Sequence, residues 1–121
     1  MKYRNDMPIY LQIVEKIKQD ILTGTLAQGE KLPSIQDMAA AMDVNQNTVF
    51  RVYKECENCG IIETRRGIGS FVVSDPMVIE KLRNEHIAAA AGSFIGSLKE
   101  LGFSDADILQ TLRHHLQEEQ Q

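Results

Sequence analysis

The chain of 121 residues has little cysteine, no long apolar run and no excess of positive charge. Each shortage narrows what it can be. Two cysteines, Cys56 and Cys59, are too few for a disulfide scaffold and fit a reducing cytoplasm better. No apolar run approaches the ~20 residues that a membrane-spanning helix needs, so no membrane partner is expected. Met1-Lys2-Tyr3-Arg4-Asn5-Asp6 has no apolar core behind its charge, so no secretory signal is read there. There is no internal repeat. No Ser/His/Asp or paired-carboxylate arrangement stands out, which argues against an enzyme. Cys56-Glu57-Asn58-Cys59 has the spacing of half a zinc site, but no second pair completes it. Buried or partly buried thiols are expected instead. His114 and His115 are adjacent and diverge by about 100° on a helix, so they do not chelate together, and His86 stands alone. Neither a cofactor nor a metal is expected.

What is present is the balance of a soluble globular protein, 43% hydrophobic and 25% charged. The length allows one ordinary domain, or a small domain with a helical appendage. Thirteen basic against seventeen acidic residues give a net charge of -4. DNA-binding domains are often basic, because neutralising phosphates releases counterions and drives affinity. An acidic chain that binds DNA must gather its cations on one face. Arg51, Lys54, Arg65 and Arg66 are the candidates, and acidic residues become more frequent after Asp75.

Pro8 is placed to open a first helix ending near Thr23, with Asp6 or Met7 at its cap. Ile9, Ile13, Val14, Ile17, Ile21 and Leu22 recur at helical spacing. Gly24 is a stop, and residues 25–31 read as a turn-rich connector. Ser34 caps a short helix, with Asp37 as a capping-box partner and Met38, Ala39 and Met42 on its inner side. Met42-Asp43-Val44 is the turn, and Asn45 caps the next helix. There Val49, Val52, Tyr53 and Cys56 share one face. At about 100° per residue the opposite face carries Asn47, Arg51, Lys54 and Asn58. After Gly60, β-branched and aromatic residues flank Gly67-Ile68-Gly69 in a hairpin. That Gly-x-Gly opens a strand rather than a helix, so it is not a nucleotide loop. Two short helices followed by a glycine-tipped wing put one helix into the major groove and the hairpin beside it.

Ser74-Asp75-Pro76 marks a boundary, with Asp75 as cap and Pro76 inside a new helix. That helix carries Ile79, Leu82, Phe94, Leu98 and Leu101 and stops at Gly102. Ser104 and Asp107 open a last helix bearing Ile108, Leu109, Leu112 and Leu116, and residues 117–121 are expected to fray. Two such helices cannot bury their stripes alone. An intramolecular helical hairpin is one solution. A homodimer through these helices is preferred, because symmetric dimers are the commonest oligomers and a dimer binds two half-sites about one DNA turn apart. The expected fold class is α+β: a winged helix-turn-helix over residues 1–75 and a two-helix dimerisation tail over residues 76–121.

Pro8-Ile9-Tyr10-Leu11-Gln12-Ile13, Gly29-Glu30-Lys31-Leu32-Pro33-Ser34, Asn47-Thr48-Val49 and residues 60–72 together resemble the N-terminal winged-helix domain of GntR-family transcription regulators. The short two-helix tail resembles the YtrA-like subfamily. The resemblance implies a dimeric bacterial repressor that binds double-stranded DNA, with a transporter operon as a target. It also marks departures: the family usually has arginine where Gln36 stands, and many members have it where Gln46 and Phe50 stand.

Several roles follow for the DNA face. Arg51 and Asn47 face outward near the start of the second helix, the end that meets base edges. Asn45, Gln46, Asn47 and Thr48 lie at or near its first turn, where backbone N–H groups attract phosphate. Thr48 either joins them or holds the two helices together. Ser34 either binds phosphate or only caps its helix. Phe50 either meets a thymine methyl group or packs on the first helix. Lys54 adds charge, and Arg65, Arg66 and Gly67 form a tip able to approach the minor groove. An unknown small-molecule effector would act through the tail. A second reading, a protein-interaction module on a winged-helix scaffold, rests on the acidic balance and Gln36. Glutamine pairs with an adenine edge where arginine favours guanine. Gln36→Arg is therefore predicted to move operator preference toward guanine in a binding-site selection; an unchanged preference removes Gln36 from base reading.

Overall fold

The computed structural model describes residues 2–119. Its elements are α1 (Ile9–Thr23), α2 (Ile35–Met42), α3 (Gln46–Asn58), β1 (Ile62–Arg65), β2 (Gly69–Val72), α4 (Pro76–Glu100) and α5 (Asp105–Glu119). This is the winged helix-turn-helix with two C-terminal helices that the pattern predicts. No described helix is long and apolar enough to cross a membrane. Chain contacts divide the molecule into one unit through Arg83 and a second from Asn84.

In the first unit, Ile13, Val14, Ile17 and Ile21 of α1 are buried with Val49, Val52 and Cys56 of α3. Burying one such aliphatic side chain contributes about 1.5–3 kcal/mol. Ile9, expected in the stripe, is 43% exposed. At about 100° per residue it lies off the stripe's edge, and Tyr10 takes the central position instead. The cap of α1 also differs from expectation. Pro8 is the N-cap and supplies no side-chain bond, since proline has no polar side-chain atom, and the Asp6 carboxylate pairs with Arg4 at 3.3 Å instead. The N-terminal arm is held by the buried amide of Gln12. Its Nε2 donates to the carbonyls of Arg4 and Met7 at 2.8 and 2.7 Å, and its Oε1 accepts from Arg4 N–H at 2.8 Å.

The helix-turn-helix caps follow the sequence. Ser34 Oγ accepts from Asp37 N–H at 3.1 Å, and Asn45 Oδ1 accepts from Thr48 N–H at 2.9 Å. Asp43 turns the chain between them at φ 56, a left-handed conformation that a short polar side chain tolerates. Tyr3 donates its hydroxyl to the Met42 carbonyl at 2.6 Å. Burial, and then the Asp43 charge, raise the Tyr3 pKa and keep it a donor.

The antiparallel hairpin pairs Ile62 with Val72 and Arg65 with Gly69. The connector before α2 is more ordered than its sequence indicates. Gly29 N–H donates to Val72 O at 2.8 Å, Val72 N–H to Glu30 O at 2.9 Å, and Leu32 N–H to Ser70 O at 2.8 Å. It thus covers the outer edge of β2, which would otherwise expose unpaired backbone groups. The Asp75 cap forms, with Oδ1 accepting from Met77 N–H at 2.9 Å. Ile79 and Leu82 of α4 complete the same core, so the first unit extends past Pro76 to Arg83.

In the second unit Gly102, at φ 86, separates α4 from α5. Ile108 is buried, whereas Leu109, Leu112 and Leu116 are 63%, 41% and 52% exposed. The helix α5 continues through Glu119, within the stretch expected to fray. Near its end Glu118 Oε1 lies 3.2 Å from His114 Nε2, one turn earlier. Gln120 and Gln121 lie outside the described residues. Ser104 and Asp107 form a reciprocal box: Asp107 Oδ2 accepts from Ser104 N–H at 3.1 Å and Ser104 Oγ from Asp107 N–H at 3.2 Å. These bonds from the Ser104 backbone and then its hydroxyl lower the Asp107 pKa. A lowered folded-state value means the contribution is complete above the ordinary carboxylate value of 3.8 and is lost as pH falls through the folded value. Asp107→Asn is predicted to destabilise the protein at pH 7 and to converge with the wild type in strong acid, measured by urea unfolding. Equal pH dependence of the two proteins would exclude the box as its source.

Candidate nucleic-acid interface

The inward side of α3 is fixed by its buried residues, and that fixes what faces out. Gln46, Asn47, Phe50, Arg51 and Lys54 are all exposed, and Thr48 is half-buried. Thr48 and Asn45 are bonded to each other, with Thr48 Oγ1 donating to Asn45 Oδ1 at 3.2 Å. Thr48 is therefore part of the cap. Phe50 is 53% exposed. Lys54 Nζ stands 5.6 Å from the Phe50 ring centroid and 3.7 Å from Glu57 Oε1. The Arg51 guanidinium lies over the Tyr10 ring, 3.7 Å from its centroid.

Two tethers hold α3 to its surroundings. Tyr53 donates its hydroxyl to the Pro33 carbonyl at 2.7 Å, tying α3 to the segment before α2. Burial raises the Tyr53 pKa, so this donor stays protonated. Thr64 Oγ1 donates to Glu57 Oε2, linking the end of α3 to the wing. The sequence reading missed Glu57 because the bond joins a half-buried helix residue to a strand residue seven positions on. Cys56 is buried as expected, and burial, with the neighbouring Cys59 second, pushes its thiol up to about 12. Cys59, the C-cap residue of α3, is exposed, contrary to expectation. Among the described residues no group of three or more His, Cys, Asp or Glu side chains is placed to hold a metal ion.

The wing turns at Gly67, φ 76. Arg66 and Gly67 are exposed at its tip. Arg65 folds back, donating from Nη2 to Glu63 Oε1 at 2.9 Å with its guanidinium 4.3 Å from the Phe71 ring centroid. A cleft of about 610 Å³ lies between the wing and the start of α2. Lys31, Ser34, Arg65 and Gly67 share it, with Tyr53 and Asp37 also lining it. The structure thus gathers Ser34, Arg65 and Gly67 around one concavity. Gln36 is exposed on α2 outside that lining, as are the outward residues of α3.

The chain is similar in sequence and fold to known proteins. The family described as bacterial regulatory proteins, gntR family, matches residues 9–72. The HTH-type transcriptional regulator YhcF of Bacillus subtilis (strain 168) is 35% identical over 112 residues, covering 93% of each chain. The HTH-type transcriptional repressor YtrA of the same organism is 45% identical over 69 residues, 57% of this chain and 53% of YtrA. A GntR family transcriptional regulator from Listeria monocytogenes superimposes with a TM-score of 0.88 at 35% identity, covering 93% of this chain and 98% of its own.

Gly69 has φ 144, and an added Cβ would stand 2.7 Å from Lys31 Cε. Gly69→Ala is predicted to cost about 1–3 kcal/mol in denaturant unfolding through backbone strain, with the end of the Lys31 side chain moving aside. An unchanged stability would mean that the hairpin relaxes freely at this position.

Proposed function

The chain belongs to the gntR family of bacterial regulatory proteins and is a DNA-binding transcription regulator, not an enzyme; on that premise we propose a cytoplasmic homodimeric repressor of a palindromic operator. The observation that carries the DNA-contact assignment is the outward ridge of α3. Asn47, Arg51 and Lys54 project from a helix whose other side is locked into the core. In this reading α3 enters the major groove. Arg51 and Asn47 meet base edges, while Gln46, Phe50 and Lys54 flank them. Asn45 and Thr48 hold the first turn open to a phosphate, and Gln36 reaches a neighbouring base from α2. Arg66 and Gly67 lie over the minor groove, and Ser34 and Arg65 meet the backbone through the cleft.

Dimerisation is assigned to the tail over residues 76–121, and the winged domain to residues 1–75. Support comes from the apolar side chains the second unit leaves uncovered: Leu101 and Leu109 are 71% and 63% exposed, and Ile87 is 59% exposed. A twofold pairing of such faces is the ordinary solution for a soluble oligomer. The repressor sign draws support from the repressor YtrA among the relatives. A transporter operon is the proposed target, and a small-molecule effector acting through the tail would alter half-site spacing.

Selection of duplexes from a random pool with the full chain tests this reading. Two inverted half-sites about 10 bp apart are expected, with affinity falling steeply between ~50 and ~200 mM salt. Salt-insensitive binding without sequence enrichment would contradict it. Arg51→Ala is predicted to cost about 1–3 kcal/mol on the selected duplex and less on variants of the base it reads. Equal weakening on every duplex would assign Arg51 to phosphate. Truncation after Arg83 keeps Ile79 and Leu82 in the core and is expected to give a monomer in sedimentation; a dimeric product would overturn the tail's role.

A further inference from the structure

We propose that Tyr10 is a positioning residue for base recognition, its ring holding the Arg51 guanidinium in the pose from which it reads the operator. The inference rests on the reading of α3 as the recognition helix. Tyr10 sits on α1, half-buried and packed on the core, while Arg51 is exposed on α3. The packing of Ile13, Val14 and Ile17 fixes the stretch of α1 that carries the ring. The guanidinium carbon lies 3.7 Å from the ring centroid.

This mode of holding differs from an ion pair in a way that matters for DNA. Attraction to a ring acts through the π face and consumes none of the five N–H donors of arginine. A carboxylate would occupy the donor fork and offset the charge. Arg65 shows the contrast within the same protein: its Nη2 is bonded to Glu63. No hydrogen bond or salt bridge involves the Arg51 side chain among the described residues. Arg51 is therefore restrained with its fork free, which is the state that bidentate recognition of a guanine edge requires. Restraint before binding also reduces the rotamer freedom lost on docking.

The test uses the full chain, the duplex it selects and single-base variants of that duplex. Tyr10→Leu is expected to weaken the preferred duplex about two- to fivefold, the scale of an exposed cation–π contact. The duplex altered at the base read by Arg51 should be unaffected. Tyr10→Phe keeps the ring and should keep wild-type discrimination. In an Arg51→Ala background Tyr10→Leu should add nothing. A Tyr10→Leu loss of equal size on every duplex, or one undiminished in the Arg51→Ala background, overturns the proposal. If Tyr10→Leu does not fold, the wild-type protein decides: the Arg51 Cδ protons should be shifted upfield by the ring current, and unshifted resonances overturn the stack. Normal DNA binding by Arg51→Ala would instead contradict the recognition-helix reading, while the resonance shift still reports the stack.

Discussion

The packing of α1 against α3 is the constraint on which the rest of the structure depends. Ile13, Val49, Val52 and Cys56 are all fully buried. With Val49, Val52 and Cys56 packed on α1, α3 cannot rotate without exposing them, at roughly 1.5–3 kcal/mol for each valine. Its polar side is therefore fixed in direction by its apolar side. The same packing brings Tyr10 under Arg51, joins Tyr53 to the loop before α2, and sets the end of α3 beside the hairpin through Glu57 and Thr64. Core, turn and wing thus share one reference frame, and the proposed DNA face inherits its geometry from the buried residues behind it.

An acidic chain binds a polyanion only if its carboxylates do not hold the needed cations too firmly. Near the proposed interface, Glu57 takes Lys54 at 3.7 Å and Glu63 takes Arg65 at 2.9 Å. Both pairs are solvent-exposed, and such pairs contribute only about 0–1 kcal/mol. A phosphate can replace either carboxylate at small cost. Arg51 is stacked on a ring instead, so it keeps its charge and its donors. The negative net charge is thereby compatible with binding, and it favours release from non-specific sites.

Contacts between sequence neighbours were legible from the sequence; many contacts across the fold were not. The caps at Ser34, Asn45, Asp75 and Ser104 each depend on a partner two or three residues away, and each forms. The inward set of α3 follows from helical period alone. The Gln12 clamp was invisible, because a glutamine on a helix reads as surface until an arm folds over it. The strand-like pairing of residues 29–32 was hidden by glycine and charge, which carry no alternating apolar pattern. Ile9 and Tyr10 exchanged places for a related reason: counting apolar residues favoured isoleucine, whereas angular position favoured the tyrosine. Within the candidate interface the residue types were readable, but not which arginine is paired and which is free.

In the proposed function, the outward ridge of α3 and the tip of the wing meet DNA. Chemical-shift mapping of the isotope-labelled full chain with its selected duplex tests that most directly. The account predicts the largest changes at Gln46, Asn47, Arg51 and Lys54, with a second group at Arg66 and Gly67. Changes confined to α4 and α5, with the signals of α3 unmoved, would contradict it.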